Sequence, residues 1–193
     1  MSTHPLIRLY EYGQSVWYDN IQRAMLHSGE LQRLIADGVR GMTSNPTIFR
    51  NAIASGQEYR ADIKALRRQG KSPLEIYEAL ALADVGAAAD EFRKLYEQSD
   101  GEDGYVSIEV SPRLAHDTQG TIAEARRLFA SLGRPNIMIK VPATPAGIPA
   151  IRSLIGQGIN VNVTLLFSLE VYRQVAEAYL DGLELLVTNG GQL

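Results

Sequence analysis

Hydrophobic positions along this chain fall into two alternating regimes. Short runs rich in β-branched residues are apolar at every second position, and the longer stretches between them carry apolar residues every three or four. That alternation predicts successive parallel βα units. Five strand-like runs stand out, at Ser15–Asp19, Val39–Asn45, Tyr105–Val110, Asn136–Pro142 and Ile159–Thr164. Helical punctuation separates them. Ser72-Pro73-Leu74-Glu75 sets an N-cap, a first-turn proline and a capping-box glutamate in order, and Asn45-Pro46 and Thr144-Pro145 mark further starts. Gly38, Gly70 and Gly133 stand where helical runs stop. The span from Pro46 to Asp100 is predicted to hold several helices in one crossover.

Strands buried under helices on both faces are apolar nearly throughout, whereas these are apolar on one face only. Ile137, Ile139 and Val141 alternate with Asn136, Met138 and Lys140, and Val106, Ile108 and Val110 with Tyr105, Ser107 and Glu109. Ile159, Val161 and Val163 oppose Asn160, Asn162 and Thr164; Val16 and Tyr18 oppose Trp17 and Asp19; Gly41, Thr43 and Asn45 share a face. If the apolar face meets an outer helix layer, Asp19, Asn45, Glu109, Lys140 and Thr164 point inward near the carboxyl ends of their strands. That is where (β/α)8 barrels carry their chemistry. A doubly wound open sheet also accommodates five units and suits this length, but it offers no common interior for polar residues from five strands. The chain also lacks a Gly-x-Gly-x-x-Gly or Walker-type loop. The expected fold is therefore α/β, of the barrel type, with about the first five βα units present.

Lys140 gives that interior its chemistry. Of the four lysines, Lys64, Lys71 and Lys94 sit among charged residues, while Lys140 lies in the apolar stretch Asn136-Ile-Met-Ile-Lys-Val-Pro142. An ammonium taken out of water favours its neutral form, and a neutral amine can condense with a carbonyl to form a Schiff base. Imine formation also needs groups that move protons, which the inward carboxylates Asp19 and Glu109 supply. The plainer reading, that Glu109 and Lys140 merely form a buried ion pair, would by itself say little about function. Likewise, Asn162 and Thr164 read on their own as satisfied interior polar groups. His4, His27 and His116 are scattered and suggest no metal site. Arg126-Arg127 reads as a solvated helix face, and Trp17 as packing.

Composition narrows the function classes. The 193 residues are 45% hydrophobic, enough for one domain spanning 1–193. A formal net charge of -3 with pI near 5.7 leaves no basic surface for a nucleic-acid partner. The amino-terminal run Met1–Tyr10 lacks the charged-then-apolar order of a leader, and no stretch approaches a membrane span, so no membrane partner and a cytoplasmic location are expected. With no cysteine, disulfide and thiolate chemistry are excluded.

Four motifs at the strand ends carry a resemblance. Thr43-Ser-Asn-Pro-Thr47, Val106-Ser-Ile-Glu-Val-Ser111, Ile139-Lys-Val-Pro-Ala-Thr144 and Ile159-Asn-Val-Asn-Val-Thr-Leu-Leu-Phe167, in this order and spacing, resemble transaldolase over essentially the whole chain. The likeness is to the bacterial form, which occurs alone or fused to glucose-6-phosphate isomerase. It implies a cofactor-independent, metal-independent transfer of a dihydroxyacetone unit from sedoheptulose 7-phosphate or fructose 6-phosphate to an aldose phosphate in the pentose phosphate pathway. It also implies Lys140 as the Schiff-base residue and Asp19 as the acid/base at the C4 hydroxyl. Glu109 and Thr164 become the pair that relays protons through a water, and Asn45 and Asn162 bind donor hydroxyls. Thr43 and Ser44 line the same strand end.

The likeness also sets an expectation for what five strands omit. A closed barrel has eight strands and about 250 residues, so the chain reads as truncated at its carboxyl end. In the family, the serine and arginine groups that grip the sugar phosphate lie on later strands. Open edges favour self-association, and little turnover is expected of residues 1–193 alone. The alternatives are therefore a non-catalytic barrel fragment held by self-association, or another Schiff-base aldolase acting on a different sugar phosphate.

Overall fold

The computed structural model describes residues 4–193; Met1, Ser2 and Thr3, part of the run read above for a leader, lie outside the described residues. Two compact units divide the chain. The first comprises residues up to Val106 with Arg134–Asn136, and the second Ser107–Gly133 with Ile137–Leu193.

In the first unit α1 (Pro5–Tyr10) precedes β1 (Trp17–Asp19), α2 (Arg23–Ser28), α3 (Glu30–Asp37) and β2 (Gly41–Thr43). The crossover follows as α4 (Pro46–Ser55), a 3-10 turn (Gln57–Tyr59), α5 (Arg60–Arg68) and α6 (Pro73–Gln98), so the span expected to hold several helices does so. The capping box opens α6 as its residues require: the Ser72 amide donates to Glu75 Oε2 at 2.8 Å and the Glu75 amide to Ser72 Oγ at 3.4 Å. Gly38 closes α3 and Gly133 closes the later helix α7 (Thr118–Leu132), both with left-handed backbones.

β1 and β2 run parallel with Trp17 beside Gly41 and Asp19 beside Thr43. The Trp17 indole lies across Gly41, where an added Cβ would sit 2.4 Å from the ring, so glycine is what lets the indole pack there. Asn136 pins the strand bases: fully buried, it donates from Nδ2 to the carbonyls of Ala89 and Gly104 at 2.8 and 2.9 Å. It shares a period-two face with Lys140, yet it stands just before its strand and serves structure.

The core of this unit gathers Ile21, Leu31, Met42, Phe49, Leu80, Val85 and Phe92, none more than 2% exposed. Beside them lies a buried polar node in which the Tyr59 hydroxyl donates to Asp84 at 2.7 Å. Burial, and then that carboxylate, hold the phenol well above its ordinary pKa. A raised folded pKa means stability present below the unfolded value of about 10 and lost as pH climbs beyond it. Urea midpoints should therefore fall above about pH 10, and less steeply in Tyr59→Phe; equal slopes would overturn the assignment.

β3 (Tyr105–Glu109) begins in the first unit and ends in the second, which continues with a 3-10 turn (Pro112–Leu114), α7, β4 (Ile137–Pro142), α8 (Gly147–Ile155), β5 (Val161–Thr164) and α9 (Leu169–Thr188). The strands lie in the sheet in chain order, each beginning within two residues of its expected start. The apolar face of β4 meets helices as expected: α7 and α8 pack on it, and Ile137, Ile139 and Val141 are fully buried.

Two details differ. The helix expected at Thr144-Pro145 starts at Gly147, because Thr144 Oγ1 accepts from the Gly147 amide at 2.9 Å while donating to the Ala115 carbonyl at 2.6 Å. The strand end and helix start approach so closely there that a Cβ on Gly147 would meet the Pro142 carbonyl oxygen. In addition, Val161 and Val163, read as a buried face, are only half-buried, since β5 is an edge strand with β4 on one side alone.

Candidate active site

Lys140 is buried to 9% exposure in β4, in contrast to Lys64 and Lys94, which are exposed. Register sets Asn162 directly beside it on β5, and Thr164 beside Pro142 two residues on, so all these positions share one face. From β3, Glu109 brings its Oε2 to 3.7 Å from the lysine Nζ. That is longer than the roughly 2.7–2.9 Å of a tight charge-assisted hydrogen bond. The carboxylate thus supplies a field at the amine, and a small hydroxyl or water could mediate proton transfer between them.

A second contact gives this face its shape. Asn162 Nδ2 on β5 donates to Ser107 Oγ on β3 at 3.2 Å, reaching over β4. Strands two places apart in a flat sheet stand about 10 Å apart, too far for an asparagine and a serine to meet if both stand perpendicular to it. The face is therefore concave, as the wall of a barrel is. Sequence reasoning placed Ser107 on the inward face but gave it no role. Its signal was its position two residues before Glu109, and it is fully buried.

Loops at the carboxyl ends of β3 and β4 are laced together. Besides the Thr144 bonds, Thr118 Oγ1 donates to the Ala146 carbonyl at 2.7 Å, and the Ser111 amide donates to Glu124 Oε2 at 3.2 Å. Beyond Thr164, Leu165 takes a left-handed backbone with φ of 62°, a strained turn for a branched side chain at a strand end.

The first unit positions its own set. Asp19 ends β1 with an exposed side chain, next in register to Thr43. Thr43 Oγ1 is buried with no hydrogen-bond partner, so a ligand hydroxyl there would satisfy it. Ser44 is fully buried. Asn45 caps α4, its Oδ1 accepting from the Ile48 amide at 2.9 Å; its Nδ2 remains as the donor for a ligand oxygen.

Thus Lys140, Glu109 and Asn162 come together with Ser107, Thr164 lines the same face, and Asp19 with Thr43 forms a second polar group. Elsewhere, Arg126 donates to Gln157 and Arg127 pairs with Glu124 at 3.7 Å, in keeping with a helix surface. His27 and His116 are exposed, and His4 caps α1.

A family model described as transaldolase/fructose-6-phosphate aldolase matches residues 16–190. Among curated proteins, a transaldolase of Trichodesmium erythraeum is 50% identical over 98% of this chain and 50% of its own length. Transaldolase 2 of Nostoc punctiforme gives the same figures. Transaldolase 1 of Streptomyces coelicolor is 53% identical over 93% of this chain and 47% of its own length. The chain spans about half the length of these relatives.

Proposed function

This chain belongs to the transaldolase/fructose-6-phosphate aldolase family, and on that premise we propose that Lys140 forms a Schiff base with a ketose phosphate during transfer of a dihydroxyacetone unit to an aldose phosphate. The observation that carries the reading is the burial of Lys140 against Glu109 with Asn162 in register beside it. Sedoheptulose 7-phosphate or fructose 6-phosphate as donor, the pentose phosphate pathway and a cytoplasmic setting belong to the same proposal. So does the treatment of residues 1–193 as one barrel domain. Among the described residues no helix is long and apolar enough to cross a membrane.

The roles follow from chemistry at named atoms. The Lys140 amine attacks the ketose C2 carbonyl to give a carbinolamine. Glu109, working with Thr164 through a water, delivers the proton that lets its hydroxyl leave as water, which leaves a protonated imine. Asp19 takes the C4 hydroxyl proton, the C3–C4 bond breaks, an aldehyde departs, and the electron pair passes to the imine as an enamine. Asn45 and Asn162 hold the three-carbon unit by its hydroxyls, with Thr43 and Ser44 lining the strand end, until it adds to the acceptor aldehyde. Hydrolysis of the imine then restores the amine. Borohydride trapping tests the reading: a ketose-derived adduct on Lys140 supports it, and one on another lysine overturns it.

A second reading, self-association, is favoured by α9. Val175, Ala178 and Gly182 face α8, where Gly182 sits so close that a Cβ would lie 2.8 Å from Ile155 Cβ. Its other side exposes Leu169, Tyr172, Tyr179, Leu180 and Val187, each at least 50% accessible. Such a stripe, on the helix that follows the edge strand β5 in the chain, fits a second copy of the chain. Sedimentation should show a dimer or larger species that Tyr172→Glu with Leu180→Glu shifts to monomer. A wild-type monomer at micromolar concentration would remove this reading.

A further inference from the structure

Outside the strand-end chemistry, the crossover helices of the first unit form an open-mouthed pocket of about 600 Å³. Each helix offers it a single face. Arg50 and Ala54 are four apart on α4, Ile63 and Arg67 four apart on α5, and Ile76 and Leu80 four apart on α6, the spacing that puts side chains in one row. Ile76 and Leu80 are 8% and 2% exposed, so the floor is closed and apolar. Tyr77 also lines it, with its ring held edge-on by the buried Phe49 at 6.3 Å.

The rim has one sign. Arg50, Arg67 and Lys71 come from three different segments, and none of the residues lining the cavity is acidic. The last-turn position of Arg67 on α5 suits the negative end of that helix, which explains one cation. It does not explain Arg50 in mid-helix on α4. Nor does it explain Lys71 beside the positive end of α6, where its charge acts on Glu75. An apolar floor beneath converging cations, in a volume within the usual range for small-molecule sites, is the pattern that recognises an organic anion with an apolar body.

We propose that this cavity binds an organic anion: its flat or branched apolar portion lies on Ile63, Ile76 and Leu80 beside Tyr77, and its phosphate, sulfonate or carboxylate is held by Arg50, Arg67 and Lys71. The occupant is a small molecule, and the site is independent of the Schiff-base reading because it uses none of those residues. The probe is naphthalene-2-sulfonate, with uncharged 2-naphthalenemethanol as its control, titrated into the full chain by calorimetry.

Saturable binding of the sulfonate is expected, weakened at least tenfold in Arg50→Glu/Arg67→Glu. Ala54→Trp, at an exposed rim position, should abolish it by filling the mouth while leaving the thermal melt unchanged. The proposal is overturned if the sulfonate does not saturate, if the uncharged control binds equally well, or if affinity stays within twofold in both folded variants. The last result would place the dye on exposed apolar surface elsewhere.

Discussion

Borohydride added with fructose 6-phosphate to a protein in which this chain is continued to the length of its relatives is expected to fix a reduced three-carbon unit on Lys140 and on no other lysine. Hydride reduces the C=N bond of an imine to a stable secondary amine, so the modified residue is the one that formed the Schiff base. Lys64 and Lys94 are exposed side chains on α5 and α6. Lys140→Ala removes the nucleophile and should leave no adduct, with transfer lost by about four orders of magnitude or more. Asp19→Asn separates the steps. Without a base at the C4 hydroxyl the imine still forms but the C3–C4 bond holds, so peptide mass spectrometry should find an intact six-carbon sugar phosphate on Lys140. A three-carbon adduct in that variant would remove Asp19 from the cleavage step.

The residue that this experiment reads was legible because its burial is a sequence property. One lysine in four lies in an apolar strand, and the strand's alternation turns it away from Ile139 and Val141. Strand starts, the α6 capping box and the glycine stops were legible for the same local reason. What escaped depends on partners distant in the chain. Ser107 acquires its bond only when β5 reaches over β4, 55 residues away in sequence. The half-exposure of Val161 and Val163 depends on what lies beside β5, which alternation does not encode. The cationic rim of the crossover pocket draws on α4, α5 and the α5–α6 connection, each of which alone looks like ordinary solvated surface. Arg23 and Asp84 are 61 residues apart and sit in helices where a charged residue reads as surface.

That last pair carries the largest expected effect on stability. Arg23 and Asp84 side chains are 9% and 3% exposed, and Nε donates to Oδ1 at 2.7 Å. The second Asp84 oxygen accepts the Tyr59 hydroxyl, whose oxygen in turn accepts the Arg23 amide at 3.1 Å, and the guanidinium lies 4.5 Å over the Tyr59 ring. One carboxylate therefore ties α2, the 3-10 turn and α6 together. Asp84→Leu would leave a buried guanidinium short of its main counter-charge and a buried phenol without an acceptor, which should cost about 3–5 kcal/mol in urea unfolding. Asp62 also pairs with Arg23, at 2.5 Å, but its side chain is 54% exposed, so Asp62→Asn should cost no more than about 1 kcal/mol. The cycle decides whether charge pairing or mere packing is at stake. If the Asp84→Leu cost is an orphaned charge, Arg23→Met on top of it should recover stability instead of subtracting more, because two apolar side chains of similar size then fill the site. Additive losses in the double variant would mean that Arg23 and Asp84 stabilise the crossover through separate contacts.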